Sequence, residues 1–260
     1  MMISSLQNPL VKKVLLLKEK SRERKKSGLF VIEGMREMQL ALKGGYEFKT
    51  ILFCIELLNE QPIDQFPHEK AIAITKEVYE KLAYRGTTEG IMAIAQIKEH
   101  QLATLQIKAK NPLILVAEAP EKPGNIGALL RTADAANIDA VLIANPKTDF
   151  YNQNIIRSSV GCVFTTPVAV GTTEEIIAYL QQKKVSICCA ALTASIKYTD
   201  VNFTKATAIV VGTESTGLST LWLQNSDQNI IIPMQGEIDS MNVSVSAAIL
   251  IFEAKRQRGF

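Results

Sequence analysis

From residue 113 onward, short apolar runs alternate with helix-like segments, and this alternation limits the possible folds more than any other feature of the chain. Six runs are predicted as strands, at residues 113–118, 140–144, 162–170, 185–190, 208–212 and 230–232. Helical segments fall between them, from about residue 125, at 152–159 and at 174–184, and a last helix follows. Such alternation predicts an α/β fold, with a mostly parallel sheet and helices on both faces. Its ligand site should lie beyond the carboxyl ends of the strands.

The stretch 229–248, NIIIPMQGEIDSMNVSVSAA, joins the last predicted strand to the last helix. Pro233 ends the strand because proline cannot donate to a central ladder. Ser240 or Asn242 is placed to cap the helix that follows. This loop is a candidate ligand loop, and an ordinary strand-to-helix crossover would show the same pattern.

A second candidate loop opens the first helix of this region with the sequence PGNIGALLRTA, residues 123–133. Its glycines permit a turn, and the start of a helix favours an anion. Arg131 adds a permanent charge with forked donors, so the loop could hold a phosphate or stabilise an oxyanion. Alternatively, Arg131 could pair with Asp134 on an exposed helix.

The third candidate loop, GTESTGLS at residues 212–219, almost matches a phosphate-binding P-loop. Leu218 occupies the position where that motif requires lysine, and Glu214 would repel a triphosphate. A nucleoside triphosphatase is therefore disfavoured, as is a dinucleotide site, because no G-x-G-x-x-G follows a strand. The glycines instead permit close backbone approach to a ligand, or Gly212 simply ends a strand.

Taken together, these stretches resemble a known family. NIGALLRTADAANIDAVLI, VVGTESTGLS and IIIPMQGEIDSMNVSVSAAILIFEA look like the three signature motifs of the SpoU (TrmH-like) branch of the SPOUT RNA methyltransferases. The segment RSSVG, residues 157–161, resembles the arginine-serine-glycine segment between the first two motifs. SSLQNPLVKKV, LFVIEG and YRGTTEGIMAIA are similar to the N-terminal substrate-binding domain of members that methylate ribosomal RNA.

The resemblance implies methyl transfer from S-adenosylmethionine to a ribose 2′-hydroxyl, a homodimer formed through the C-terminal domain, and a C-terminal trefoil knot. Nothing in the periodicity suggests the knot, since threaded chains are rare. By alignment of the motifs, the implied cofactor-binding residues are Leu192, Gly212, Ile232, Met234, Met241 and Val243, with Thr193 as an alternative to Leu192. Met241 departs from the family's usual leucine, a nearly volume-conserving change.

The resemblance also implies a catalytic group, consisting of Arg131, Asn125, Glu214, Ser240 and Asn242. A ribose hydroxyl is a poor nucleophile, so its proton must be removed or its oxyanion stabilised. Family proposals assign the general base to the equivalent of Arg131. Because arginine stays protonated, we prefer an orienting or electrostatic role, in which Glu214 could hold the guanidinium fork.

The first 98 residues are predicted to form a small α/β RNA-binding domain, followed by a linker at 99–112 and the methyltransferase domain at 113–260. Basic residues cluster between residues 12 and 26, on and after a helix predicted at 10–20. The cluster fits a phosphate-backbone footprint or, equally, a solvated helix face. The predicted RNA-binding residues are Lys12, Lys13, Arg22, Arg24, Lys25, Arg157 and Arg256.

Other features limit the functional classes. The four cysteines and two histidines lack metal-ligand spacing, so we predict no metal and reduced, mostly buried thiols. No signal peptide or membrane span is indicated, which favours the cytoplasm. We predict a 2′-O-methyltransferase acting on large-subunit ribosomal RNA. The alternatives are a transfer RNA substrate, an antibiotic-resistance role, and a non-catalytic ribosome-associated RNA-binding protein.

Overall fold

The computed structural model describes residues 2–58, 65–84, 89–193, 195–213 and 216–260. Contacts divide the chain into two compact units: unit 1 comprises Met1–Lys98 and Asp149–Thr165, and unit 2 comprises Glu99–Thr148 and Thr166–Phe260. This partition differs from the predicted one in two places. Residues 149–165, which carry RSSVG, pack in unit 1, and residues 99–112 belong to unit 2 instead of forming a separate linker.

Unit 1 is built on a five-stranded mixed sheet of order β1-β4-β3-β5-β2. Its elements up to residue 98 are β1 (Met2–Ile3), α1 (Pro9–Glu19), α2 (Ser21–Ser27), β2 (Leu29–Glu33), α3 (Met35–Lys43), β3 (Phe48–Phe53), β4 (Ala71–Ile74), α4 (Lys76–Leu82) and β5 (Ile91–Gln96). The pairs β1/β4 and β3/β4 are parallel, and β5 is antiparallel to both β3 and β2. Val11, Val14 and Leu17 of α1 recur on one helix face and pack into the core of this unit.

The basic segment after α1 is held by a buried arginine. Arg24 is 2% exposed, and its Nε donates to Oδ2 of Asp149 at 2.5 Å. Its Nη1 donates to the carbonyls of Leu17 and Lys18, at 2.6 and 3.1 Å. Those carbonyls belong to the last turn of α1, where helix carbonyls lack intrahelical partners. Arg24 therefore ties α1 and α2 to residue 149, and its guanidinium is buried in these contacts instead of exposed to a phosphate as the sequence predicted.

Residues 149–165 join unit 1 through aromatic contacts as well. Tyr151 lies 4.3 Å from Phe30 between ring centroids, and its hydroxyl is 3.2 Å from the hydroxyl of Tyr46. Phe164 packs edge-on against Tyr46 with centroids 5.0 Å apart. This packing also requires glycine at position 44, because a Cβ there would meet the carbonyl oxygen of Phe164 at 2.0 Å. A boundary drawn from the order of motifs could not anticipate such packing.

Unit 2 contains a seven-stranded parallel sheet of order β10-β12-β9-β11-β6-β7-β8, as the alternation predicts. The remaining elements of the chain are β6 (Leu113–Glu118), α5 (Pro123–Ala135), β7 (Ala140–Ala144), α6 (Gln153–Ser158, in unit 1), β8 (Val168–Gly171), α7 (Thr173–Gln182), β9 (Ser186–Ala190), β10 (Ile196–Lys197), β11 (Thr207–Val211), α8 (Thr220–Gln224), β12 (Gln228–Ile231) and α9 (Val243–Arg258). Every residue of β6, β7 and β11 is buried, as expected for strands covered on both faces.

Most helices and strands of unit 2 lie where the sequence predicts them, but a few differ from the prediction. Asn242, not Ser240, caps α9, because its side chain accepts from the backbone N–H of Ser244. The strand predicted at 162–170 is shorter: Cys162–Phe164 forms a 3-10 turn, and only Val168–Gly171 pairs in the sheet. β1, β10 and α8 were not predicted; β1 and β10 have two residues each and α8 has five. The trefoil knot stays a prediction.

No helix in the described part of the chain is sufficiently long and apolar to cross a bilayer.

Candidate functional site

Three neighbouring parallel strands, β9, β11 and β12, end at the same edge of the sheet of unit 2. The segments that leave these strands, together with the start of α9, line a cavity of about 510 Å³. All six residues predicted to bind the cofactor are in its lining: Leu192, Gly212, Ile232, Met234, Met241 and Val243. Thr193 and the predicted catalytic Ser240 line it as well. Residues separated by up to 51 positions in sequence are thus brought together because parallel strands end together (243 − 192 = 51).

The chemical character of the cavity is mixed. Isoleucine, leucine and methionine side chains form its apolar wall, and threonine and serine hydroxyls add polar groups. Asp239 carries the one ionisable side chain among the described lining residues. A partly apolar ligand with a positive charge would suit this combination. Asp239 was not among the predicted site residues, and the available signal was an acidic residue within a candidate ligand loop.

Gly212 determines how closely two segments of the cavity wall approach each other. A Cβ at this position would lie 2.3 Å from the carbonyl carbon of Gly217 and 2.6 Å from the backbone nitrogen of Leu218. Both are backbone atoms, which cannot move aside as a flexible side chain can. Thr213 and Gly217 form the pair of backbone hydrogen bonds that closes this loop, at 3.1 and 3.2 Å. The loop therefore requires glycine at 212 for its close backbone approach.

A smaller cavity of about 110 Å³ adjoins the first, and Gly212, Thr213 and Val243 line both. Asn125 lines the smaller cavity, and its Oδ1 accepts from Nδ2 of Asn242 at 3.2 Å. Oδ1 of Asn242 simultaneously accepts from the backbone N–H and the hydroxyl of Ser244, at 3.0 and 2.6 Å. This arrangement joins the first and third motifs and fixes the orientation of the Asn242 amide.

Glu118 lines the smaller cavity and was not among the predicted site residues. It is 6% exposed at the end of β6. Its Oε2 accepts from the backbone N–H of Ser219 at 2.8 Å, and its Oε1 accepts from the hydroxyl of Thr173 at 3.3 Å. Glu118 therefore anchors the end of the 212–219 loop to the sheet. An acidic residue that closes an apolar strand was the signal that could have identified it.

The predicted catalytic residues are only partly brought together. Arg131 lies exposed on α5 and lines neither cavity. No described carboxylate lies within 4.0 Å of its guanidinium, so the alternative pairing with Asp134 is not formed. Glu214 lies outside the described residues.

The predicted RNA-binding residues differ in their surroundings. In unit 1, Lys12, Lys13, Arg22 and Lys25 are exposed, whereas Arg24 is the buried residue described above. Arg157 is exposed on α6, and its guanidinium lies over the ring of Tyr84. Because Lys12, Lys13, Arg22 and Lys25 are exposed, they are available to a phosphate backbone. The same exposure is expected of a solvated helix face.

Two arginines of α9 in unit 2 have local partners. Arg256 donates to both carboxylate oxygens of Glu253 at 2.8 Å. These hydrogen bonds, with one from Gln257, lower the pKa of Glu253 to about 2. Arg258 donates to the carbonyls of Phe203, Lys205 and Asn111, so it holds the end of α9 in place. Arg256 remains largely exposed and Arg258 has a structural role.

The thiols behave as predicted. Cys54, Cys188 and Cys189 are buried, and none of the four cysteines is in a disulfide. Burial raises the pKa of Cys188 to about 12 and that of Cys189 to about 11, so neither is a thiolate nucleophile at neutral pH. Among the residues that the structure describes, no group of three or more His, Cys, Asp or Glu is arranged to hold a metal ion.

Comparison with known families supports the reading of these motifs. The profile of the SpoU rRNA Methylase family matches residues 112–252, a range that contains both cavities and α5. The chain belongs to the SpoU rRNA Methylase family. The predicted family is thereby confirmed, and this SpoU methylase is an RNA methyltransferase. Residues 8–93 match a second profile, the MRM3-like substrate binding domain, in agreement with the resemblance of the N-terminal segment.

Sequence relatives align with almost the whole of this chain. The 23S rRNA (guanosine(2553)-2′-O)-methyltransferase RlmP of Bacillus subtilis is 30% identical over 97% of this chain and 98% of that protein. The 23S rRNA (uridine(2479)-2′-O)-methyltransferase of Streptomyces viridochromogenes is 26% identical over 91% and 85%. A solved RNA 2′-O ribose methyltransferase superposes with a TM-score of 0.87 at 37% identity over 100% of both chains.

A further solved structure supports the fold. An AdoMet-bound rRNA methyltransferase from Sinorhizobium meliloti superposes with a TM-score of 0.89 at 24% identity, over 98% of this chain and 97% of that chain. The predicted α/β architecture with a parallel SPOUT-type sheet is thus confirmed.

Proposed function

We propose that this SpoU methylase transfers a methyl group from S-adenosylmethionine to a ribose 2′-hydroxyl of large-subunit ribosomal RNA. One observation carries the proposal: the residues that the family motifs assign to the cofactor line a single cavity at the carboxyl ends of three parallel strands. The family match and the 2′-O-methyltransferases among the relatives support the reaction and the RNA class.

The cavity fits S-adenosylmethionine in size and in chemistry. Its volume of about 510 Å³ is in the range of small-molecule sites. When bound, the cofactor supplies an electrophilic methyl group on a positively charged sulfur. Leu192, Ile232 and Met241 provide apolar surface, and Asp239 provides a negative charge. Because Gly212 has no side chain, a ligand can closely approach the backbone of its loop.

The residues of the first motif would act on the acceptor hydroxyl. Arg131 remains protonated at neutral pH, so its guanidinium would orient the ribose oxygen and stabilise negative charge developing on it. Asn125 would accept or donate a hydrogen bond at the edge of the smaller cavity, in an orientation that Asn242 fixes. Glu214 would hold the guanidinium of Arg131, as proposed from the sequence.

A direct test is methyl transfer from labelled S-adenosylmethionine to total RNA of a strain that lacks this gene. The 2′-O-methyl positions in the labelled RNA are then mapped. We expect one labelled nucleotide in large-subunit ribosomal RNA. Label in transfer RNA would retain the reaction and overturn the substrate. Absence of S-adenosylmethionine binding would contradict the assignment of the cavity to the cofactor.

We expect Gly212→Ala to weaken S-adenosylmethionine binding by about 5- to 150-fold, the equivalent of about 1–3 kcal/mol of overpacking strain. The added methyl group would collide with the backbone of Gly217 and Leu218 and distort the cavity wall. Calorimetric titration with the cofactor measures the effect. Gly236→Ala is the matched control, because a Cβ there meets nothing within 4 Å. Equal affinities in both variants would contradict the assigned role of Gly212.

The proposed homodimer has support on α9. Val245 and Phe252 are 47% and 41% exposed, and they lie seven residues apart on the same helix face. Ile238, in the loop before α9, is 72% exposed. Exposed apolar side chains that recur on one helix face, as Val245 and Phe252 do, are typical of an interface. Light scattering at micromolar concentration should give the mass of a dimer, and Phe252→Asp should shift it toward the monomer. A monomeric wild-type protein would contradict the proposal.

A further inference from the structure

Unit 1 carries an exposed arginine–tyrosine pair outside the helix that was predicted to contact RNA. The guanidinium carbon of Arg157, on α6, lies 5.0 Å from the ring centroid of Tyr84. Tyr84 is 48% exposed, and Arg157 is exposed as well. An exposed cation–π contact contributes only about 0.5–1 kcal/mol. Stabilisation of unit 1 is therefore a weak explanation for two large side chains stacked at the surface.

Tyr84 is held in place by its backbone rather than by its ring. Its N–H donates to both carboxylate oxygens of Glu33, at 2.9 and 3.1 Å. Lys18 reaches the same carboxylate at 2.8 Å and also donates to the carbonyl of Leu82. The turn after α4 is thus tied to β2 and α1. These contacts fix the backbone of Tyr84 and do not involve its ring, one face of which lies against the guanidinium of Arg157.

Arg157 is positioned by a short helix with its own anchors. Asn152 caps α6, and Nε2 of Gln153 donates to the carbonyl of Val31 at 2.8 Å. The only described hydrogen bond of the Arg157 guanidinium is a long one, 3.5 Å from Nη2 to Oδ1 of Asn154. Among the described residues, no carboxylate lies within 4.0 Å of it. Its charge and most of its donors are therefore available to a ligand.

We propose that Tyr84 and Arg157 form a stacking site for an unpaired RNA base, with the tyrosine ring holding the guanidinium plane in position. Proteins recognise single-stranded RNA by stacking bases on aromatic rings and on arginine planes. Arginine suits this arrangement because its planar group stacks and its edge still donates to phosphate or base. The inference rests on the proposed function only in taking RNA as the ligand. It adds a site that selects an unstacked nucleotide, which a lysine-rich helix face cannot do.

Binding of full-length protein to in vitro transcribed large-subunit ribosomal RNA and to a short oligoadenylate distinguishes stacking from charge. We expect Tyr84→Leu to weaken both complexes by about 5- to 100-fold, the loss typical of one stacked base. Tyr84→Phe should retain the affinity. Arg157→Lys keeps the charge and loses the plane, so it should weaken binding with an unchanged dependence on salt. Lys25→Ala is the control for charge, and should reduce that dependence.

Two results would overturn the inference. One is wild-type affinity in Tyr84→Leu, with circular dichroism confirming the fold. The other is wild-type affinity in Arg157→Lys together with a reduced salt dependence in Arg157→Ala, since Arg157 would then contact a phosphate only. Failure of the proposed function is distinguishable, because it would appear as absence of methyl transfer to large-subunit ribosomal RNA by the wild-type protein, whereas the inference is decided by the RNA affinity of the variants relative to the wild type.

Discussion

The substitution Arg131→Ala should reduce methyl transfer by about 100- to 1000-fold, the usual loss when one group that stabilises a developing oxyanion is removed. Affinity for S-adenosylmethionine should be unchanged, because Arg131 is not part of the cavity lining. Single-turnover transfer from labelled cofactor measures the first quantity and calorimetry the second. Arg131→Lys should be intermediate, since lysine keeps the charge and loses the forked donors.

Asp134→Ala is the matched control for Arg131. Asp134 is exposed on the same face of α5, three residues further along, and does not pair with Arg131. Its removal should leave both the rate of transfer and the stability unchanged. If Arg131→Ala transferred methyl groups at the wild-type rate, Arg131 would have no part in catalysis. If Arg131→Ala lost affinity for S-adenosylmethionine in addition to methyl transfer, the role of Arg131 would be structural.

The substitution Arg24→Met should lower the free energy of unfolding of unit 1 by about 3–5 kcal/mol, the cost of leaving a buried charge without its partner. The partner is Asp149, whose side chain is 11% exposed. Methionine also removes the two hydrogen bonds to the last carbonyls of α1. Hydrogen exchange of peptides covering α1 and α2 measures the loss, because local opening exposes their amides.

Unit 2 provides an internal control for this experiment. The chain has one tryptophan, Trp222, which is fully buried in the core of unit 2. Its fluorescence in the native state should be the same in Arg24→Met and in the wild type. Arg22→Met, which changes an exposed neighbour, should alter stability by less than about 0.5 kcal/mol. Equal hydrogen exchange in Arg24→Met and Arg22→Met would show that the buried pair does not stabilise unit 1.

The predictions from sequence agree best with the structure where they depend on residues that are close together along the chain. The buried runs of β6, β7 and β11 are identifiable because strands covered on both faces must be continuously apolar. The stop at Pro233 and the cap at Asn242 follow from backbone chemistry within a few residues. The residues predicted to bind the cofactor came from the motifs of the family, and interactions between neighbouring residues would have indicated only the loops in which they lie.

Long-range packing explains what the sequence could not provide. The basic residues between 12 and 26 look alike in sequence, yet Arg24 is buried and its neighbours are exposed, because Asp149 approaches it from a segment 125 residues away. Tyr84 and Arg157 show no shared pattern and meet only when α6 packs in unit 1.

The parallel α/β architecture, the loops that carry the motifs and the family could all be predicted from the sequence, since they depend on periodicity and on residues close together along the chain. Three features became apparent only in the folded protein: which charged residues are available to a ligand, the anchoring of the 212–219 loop by Glu118, and the packing of residues 149–165 in unit 1. Each of these depends on contacts between distant segments, whose partners no local pattern specifies.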